Sequence, residues 1–199
     1  MGEPNERVAM LNKQNLPNAL TYSRIIVIPI FIAVFYWESP LSHWILAGLF
    51  VYASVTDFLD GYYARAWNVT SKIGRFLDPI ADKLLVATAL MMLVYTERAD
   101  VLPAIAIVCR EILVSGLREF LAELRISVPV SRLAKFKTAA QLVAISLLLV
   151  APALPAWLYA GMLGDALLWV AAILTLITGY IYLKTGIYHL SAGDNGRKE

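Results

Sequence analysis

Cysteine is nearly absent. Cys109 is the only one in 199 residues, so an internal disulfide is excluded and no zinc or redox motif is available. Lying inside an apolar run, it reads as a buried small apolar residue. Histidine is almost as scarce: His43 and His189 stand near the ends of apolar runs, with no partner at ligand spacing, and read as interfacial. Charge is thin as well. Only 16% of residues are charged, against 59% hydrophobic, a balance far from that of a soluble domain. The net charge of +2, with no basic stretch interleaved with aromatics, argues against nucleic acid as a partner. Internal repeats and low-complexity segments are also missing, which leaves a single domain over residues 1–199 as the simplest organisation.

What is present is a succession of hydrophobic runs near Leu16–Tyr36, Leu41–Ala64, Phe76–Tyr95, Val101–Leu124, Leu133–Leu154 and Ala166–Tyr188. Each is close to the roughly 20 residues that cross a bilayer. They predict an all-α integral membrane protein with six transmembrane helices. The first run lacks a small-residue cleavage site before Glu38 and further spans follow, so it should remain as a helix rather than be removed as a signal peptide. Ahead of it, within residues 1–15, Glu3–Gln14 mixes Val8, Met10 and Leu11 with charges, which predicts a short amphipathic helix at the interface. A polar tail, Ser191–Glu199, closes the chain.

Lys and Arg fall almost wholly on one side of this layout, and the opposite loops carry only Arg98. The positive-inside rule then puts both termini and the Ala66–Ile73 link in the cytosol. Trp37, Trp44, Trp157 and Tyr95 gather at the other boundary, as an aromatic belt does. Pro29, Pro79, Pro103 and Pro152 fall within or at the ends of apolar runs; Pro79 either reshapes its helix locally or marks its first turn.

Carboxylates inside such runs are expensive and point to function. Asp57 and Asp60 are three residues apart, Asp78 and Asp82 four apart, so each pair lies on one helix face. The short polar link between the second and third runs predicts an antiparallel hairpin. At roughly 1.5 Å per residue, it brings all four acids to a similar depth. Mutual repulsion there requires protons or bound cations. Oxygen-only ligands select hard divalent ions, and magnesium completes its shell with water and substrate phosphate, so a phosphorylated substrate is expected. Gly61, Ala64 and Gly74, at helical spacing from the acids, remove bulk where a diphosphate would approach; singly, each is equally explained by helix packing.

The pattern Asp57-x-x-Asp60-Gly61-x-x-Ala64-Arg65, followed after eight residues by Gly74-x-x-x-Asp78-x-x-x-Asp82, resembles the signature of the CDP-alcohol phosphatidyltransferase family at every position. The resemblance implies transfer of a phosphatidyl group from a CDP-linked lipid to an alcohol, with release of CMP. It implies two divalent cations, Mg2+ or Mn2+, held by Asp57, Asp60 and Asp78 and completed by Asp82, which also serves as general base; whether base or ligand duty dominates at Asp82 stays open. It implies contacts to the CDP-lipid from Asn18, Thr21, Asp60, Gly61, Ala64, Arg65 and Gly74, and a homodimer. Arg65 taken alone reads as a topogenic charge.

A second polar surface lies on the fourth and fifth runs. Arg110, Glu111, Ser115 and Arg118 recur near helical spacing, and Lys135, Lys137, Thr138 and Gln141 open the next run. Glu119, Glu123 and Arg125 fall near the boundary and read as solvated. Either lysine alone could snorkel, but Arg110, Arg118, Lys135 and Lys137 together could form a concave anion site. The stretches Arg110–Phe120, Lys135–Gln141 and Pro17–Arg24 are similar to those of bacterial family members that act on glycerol 3-phosphate, although Phe136 stands where some relatives carry a smaller or branched residue. This resemblance implies CDP-diacylglycerol as donor, glycerol 3-phosphate as acceptor, phosphatidylglycerol phosphate as product, and a bacterial inner membrane with the site facing the cytosol. The rivals are a sibling using inositol phosphate or a second phosphatidylglycerol, as in cardiolipin synthesis, and an ion-coupled transporter. Serine or choline would not need the basic cluster, and a transporter need not keep Gly61, Ala64, Arg65 and Gly74 in register with the acids.

Overall fold

In a computed structural model of the chain, the described residues form helices and short connections, with no strand among them. The backbone is described over residues 4–37, 39–66, 72–124, 126 and 132–195, and side chains over 20–37, 39–59, 77, 79–124, 126 and 133–187. The helices are α1 (Pro4–Phe35), α2 (Pro40–Ala66), α3 (Lys72–Tyr95), α4 (Val101–Glu123), α5 (Arg132–Val150) and α6 (Ala160–Asn195), with 3-10 turns at Ala151–Ala153 and Ala156–Leu158. Each apolar run corresponds to one α-helix.

Among the described residues, three stretches are long and apolar enough to cross a membrane: Pro40–Leu59, Leu133–Ala153 and Ala156–Ile187. Leu20–Phe35 is a shorter apolar helix. Arg110, Glu111, Arg118, Glu119 and Glu123 interrupt α4, which therefore carries more charge than any of these three. The expected separate interfacial helix is not separate. From Pro4 the backbone continues without a break into the first apolar run, which avoids an extra pair of helix ends with unsatisfied N–H and C=O groups. Pro79 lies inside α3 and does not mark its first turn.

The chain divides into two compact units, Met1–Met92 with Leu149–Leu158, and Leu93–Leu148 with Tyr159–Glu199. In the first, α1 and α2 form an antiparallel pair joined by a tight turn, where Ser42 Oγ donates to the Ser39 carbonyl at 2.6 Å. Val27 and Phe31 of α1, and Leu46, Phe50 and Ala53 of α2, are buried. These positions recur every three or four residues, so each helix presents one stripe inward. Toward the turn Phe31 packs on Phe35, ring centroids 5.9 Å apart. Toward the other end the stripe becomes polar, with Thr21, Arg24 and Thr56 buried.

In the second unit α4 packs on α6 through small residues. A Cβ on Gly186 would stand 3.0 Å from a Leu117 methyl of α4, and one on Gly164 2.8 Å from Leu148 Cγ of α5, so close approach of α6 to both helices depends on glycine, as in membrane helix pairs. The exposed surfaces of α6 carry Ile173, Leu176, Ile177, Tyr180 and Ile181, while Thr175 and Thr178 are buried. Large apolar groups outside and polar groups inside invert the soluble pattern, as expected where the surrounding solvent is lipid. The molecule is a membrane protein. Cys109, expected to be buried, is exposed on α4. It lies two residues past buried Ile107, off the inward stripe, and apolar character does not distinguish inward from lipid-facing positions.

Candidate active site

The carboxylate pairs sit on uninterrupted helix, Asp57 and Asp60 in α2, Asp78 and Asp82 in α3. Within each pair the residues are therefore one turn apart. Gly61, Ala64 and Arg65 follow on α2 before its end at Ala66, and Gly74 lies in the first turn of α3. The side chains of Asp60, Asp78, Arg65 and Asn18 lie outside the described residues, as does the convergence of the four acids. Asp82 is exposed on α3.

Asp57 shows the feature that sequence reasoning missed. Its Oδ1 accepts a hydrogen bond from Arg24 Nη1. Arg24 is only 1% exposed, whereas the Asp57 side chain is 40% exposed. A buried guanidinium must be paired, and here it orients one carboxylate oxygen while leaving the group accessible. Thr21, one turn earlier on α1, is buried beside it in the stripe. The signal existed in the sequence: Arg24 is in phase with Val27 and Phe31, the inward positions of α1. Near the α3 acids, Lys83 Nζ donates to the Pro79 carbonyl at 2.8 Å.

The second unit brings Arg110 and Lys137 together through a third residue. Glu111 Oε1 accepts from Arg110 Nη1 at 3.1 Å and also from Lys137 Nζ. Arg110 Nη2 donates to Thr178 Oγ1 at 3.3 Å. Lys137 is buried, and Arg110 and Glu111 are partly buried. Around this cluster Arg110 Nε, Gln141 Oε1 and Thr175 Oγ1 are buried without a hydrogen-bond partner, a concentration of unsatisfied capacity that marks a place for water or a polar ligand. The other two expected cations sit differently. Arg118 is exposed with its guanidinium 5.7 Å from the centre of the Tyr182 ring, and Lys135 is exposed on α5.

The Arg110 stem lies against Gly179 of α6, where a Cβ would stand 2.9 Å from Arg110 Cγ. Because the obstructing atom is in the middle of a held side chain, Gly179→Ala should destabilise the protein by about 1–3 kcal/mol, the usual cost of overpacking. Thermal unfolding in detergent checks this; an unchanged midpoint would show that the stem moves aside freely.

A model of the CDP-alcohol phosphatidyltransferase family matches residues 14–177. A Rickettsia typhi protein named CDP-diacylglycerol--glycerol-3-phosphate 3-phosphatidyltransferase is 50% identical over 171 residues, covering 86% of this chain and 96% of its own length. A Rickettsia bellii protein of the same name is 51% identical over 171 residues, covering 86% and 94%. The Escherichia coli K12 protein of that name is 46% identical over 175 residues, covering 85% and 93%.

Proposed function

The chain belongs to the CDP-alcohol phosphatidyltransferase family, and we infer from that membership how its residues divide the work. It is an enzyme that transfers the phosphatidyl group of CDP-diacylglycerol to glycerol 3-phosphate, giving phosphatidylglycerol phosphate and CMP. The observation that carries this reading is identity of 46–51% extending over 93–96% of the relatives' own length. The signature acids and the paired cations are the residues such a reaction needs.

The family works with divalent cations. The donor set fits them: oxygen-only side chains in pairs one turn apart, with Asp57 half-exposed and Asp82 exposed, so that both can reach a ligand. In our reading Asp57, Asp60 and Asp78 hold two ions, Mg2+ or Mn2+, with Asp82 completing the site. Once bound, the cations neutralise the donor diphosphate and favour departure of CMP. Arg24 fixes one Asp57 oxygen. Asp82 accepts the proton of the acceptor hydroxyl as its oxygen attacks phosphorus. Gly61, Ala64 and Gly74 admit the diphosphate, and Asn18, Thr21, Asp60 and Arg65 contact the CDP-lipid. Arg110 and Lys137 hold the acceptor phosphate, assisted by Arg118 and Lys135. Six transmembrane helices, both termini cytosolic, a bacterial inner membrane and a homodimer complete the reading.

Purified protein incubated with CDP-diacylglycerol and a panel of alcohols should release CMP with glycerol 3-phosphate far faster than with inositol phosphate, phosphatidylglycerol or serine. A faster reaction with any of those three would overturn the acceptor assignment. In the same assay Arg110→Ala or Lys137→Ala should raise the KM for glycerol 3-phosphate by about tenfold or more, the worth of a charge-assisted hydrogen bond, while the KM for CDP-diacylglycerol holds. Arg118→Ala and Lys135→Ala, at exposed positions, should move it less.

A further inference from the structure

We propose that Glu111 is a positioning residue of the acceptor site, a role that rests on the reading of Arg110 and Lys137 as its phosphate ligands. One carboxylate oxygen takes hydrogen bonds from two cations on different helices, Arg110 of α4 and Lys137 of α5. Both donor nitrogens are thereby held around a single point, close enough for neighbouring oxygens of one tetrahedral phosphate to bridge them. Without that carboxylate the cations would repel, and two largely buried positive charges would separate or draw in water.

Two further contacts show that the arrangement is held rather than incidental. Thr178 takes the second Arg110 nitrogen, and Gly179 gives the Arg110 stem its place. The partnerless Gln141 Oε1 lies one turn from Lys137 on α5 and is buried. The charge count matters too. In the described contacts two cations share one anion, an excess of positive charge that attracts a phosphate monoester while each cation stays paired in its apolar surroundings. A lone Arg–Lys pair would bind anions more indiscriminately, and its geometry would not be fixed beforehand. Misplacement of a binding group by about 1 Å costs up to roughly 10²-fold. In this role Glu111 acts on the acceptor only through the two cations it holds.

The experiment is steady-state kinetics of the full-length enzyme in lipid–detergent micelles, with glycerol 3-phosphate and CDP-diacylglycerol varied separately. Glu111→Gln should raise the KM for glycerol 3-phosphate about tenfold or more and leave the KM for CDP-diacylglycerol unchanged. In an Arg110→Ala background the same substitution should add little, because its effect runs through the cations it holds. A purely structural carboxylate would instead lower thermal stability and affect both substrates equally. An unchanged or lower KM for glycerol 3-phosphate in Glu111→Gln would overturn the proposal, since the carboxylate would then be a competitor of the phosphate. Should Glu111→Gln fail to fold, Thr178→Val removes the other anchor of Arg110; it should raise the same KM a few-fold, and no change would equally reject positioning. Arg110→Ala and Lys137→Ala run in parallel separate the two levels. If neither moves the glycerol 3-phosphate KM, the acceptor-site reading fails, whereas if both do and Glu111→Gln does not, only the positioning role is lost.

Discussion

Asp57→Asn should cost roughly 10²-fold or more in CMP release and weaken Mn2+ binding, measured separately by electron paramagnetic resonance on the protein alone. Loss of an anionic oxygen ligand removes part of a transition-state stabilisation worth several kcal/mol, and each ~1.4 kcal/mol is tenfold in rate. Chelator should abolish wild-type activity, and Mg2+ or Mn2+ should restore it; restoration by zinc alone would contradict an all-oxygen site. A second effect has to be separated from the first, because Asp57 is also the partner of buried Arg24. Breaking a fully buried pair costs about 3–5 kcal/mol, but Asp57 is 40% exposed, so water discounts that penalty. Asp57→Asn should thus lose turnover and cation binding out of proportion to its loss of thermal stability. Near-normal turnover would remove Asp57 from the cation site.

Asp82→Asn should lower turnover by roughly 10²-fold to 10⁴-fold, the range for a positioned general base. The amide keeps the shape and one oxygen but cannot take the acceptor proton. If base duty dominates, binding of CDP-diacylglycerol and Mn2+ by this variant should stay close to wild type. If both bindings fall in step with turnover, Asp82 is chiefly a ligand.

Features that recur with a helical period were legible in the sequence, and features that depend on one distant partner were not. The apolar runs correspond one by one to α1 through α6, and the one-turn spacing within each aspartate pair follows from uninterrupted α2 and α3. Arg24, by contrast, could be placed in phase with the inward positions of α1 but not paired with Asp57, because nothing local announces a partner 33 positions away. Glu111 likewise reads as one of several charges on α4 until Lys137, 26 positions on, is seen to share it. The basic cluster divides for the same reason. Burial separates Lys137 from exposed Lys135, two residues apart on one helix, yet their chemistry is identical in sequence. Cys109 was misplaced because lipid rewards apolar character on the outside as well as within, leaving glycine, threonine and charge as the better guides to the interior.

The outward position of Cys109 has a practical corollary. As the only thiol in the chain and an exposed one, it accepts one spin label or fluorophore per polypeptide with no engineered background. It stands next to Arg110, so a probe there reports on the surroundings of the Glu111 cluster. Photobleaching steps per detergent particle then count subunits directly, and dipolar coupling between labels gives a ruler across whatever assembly the enzyme forms.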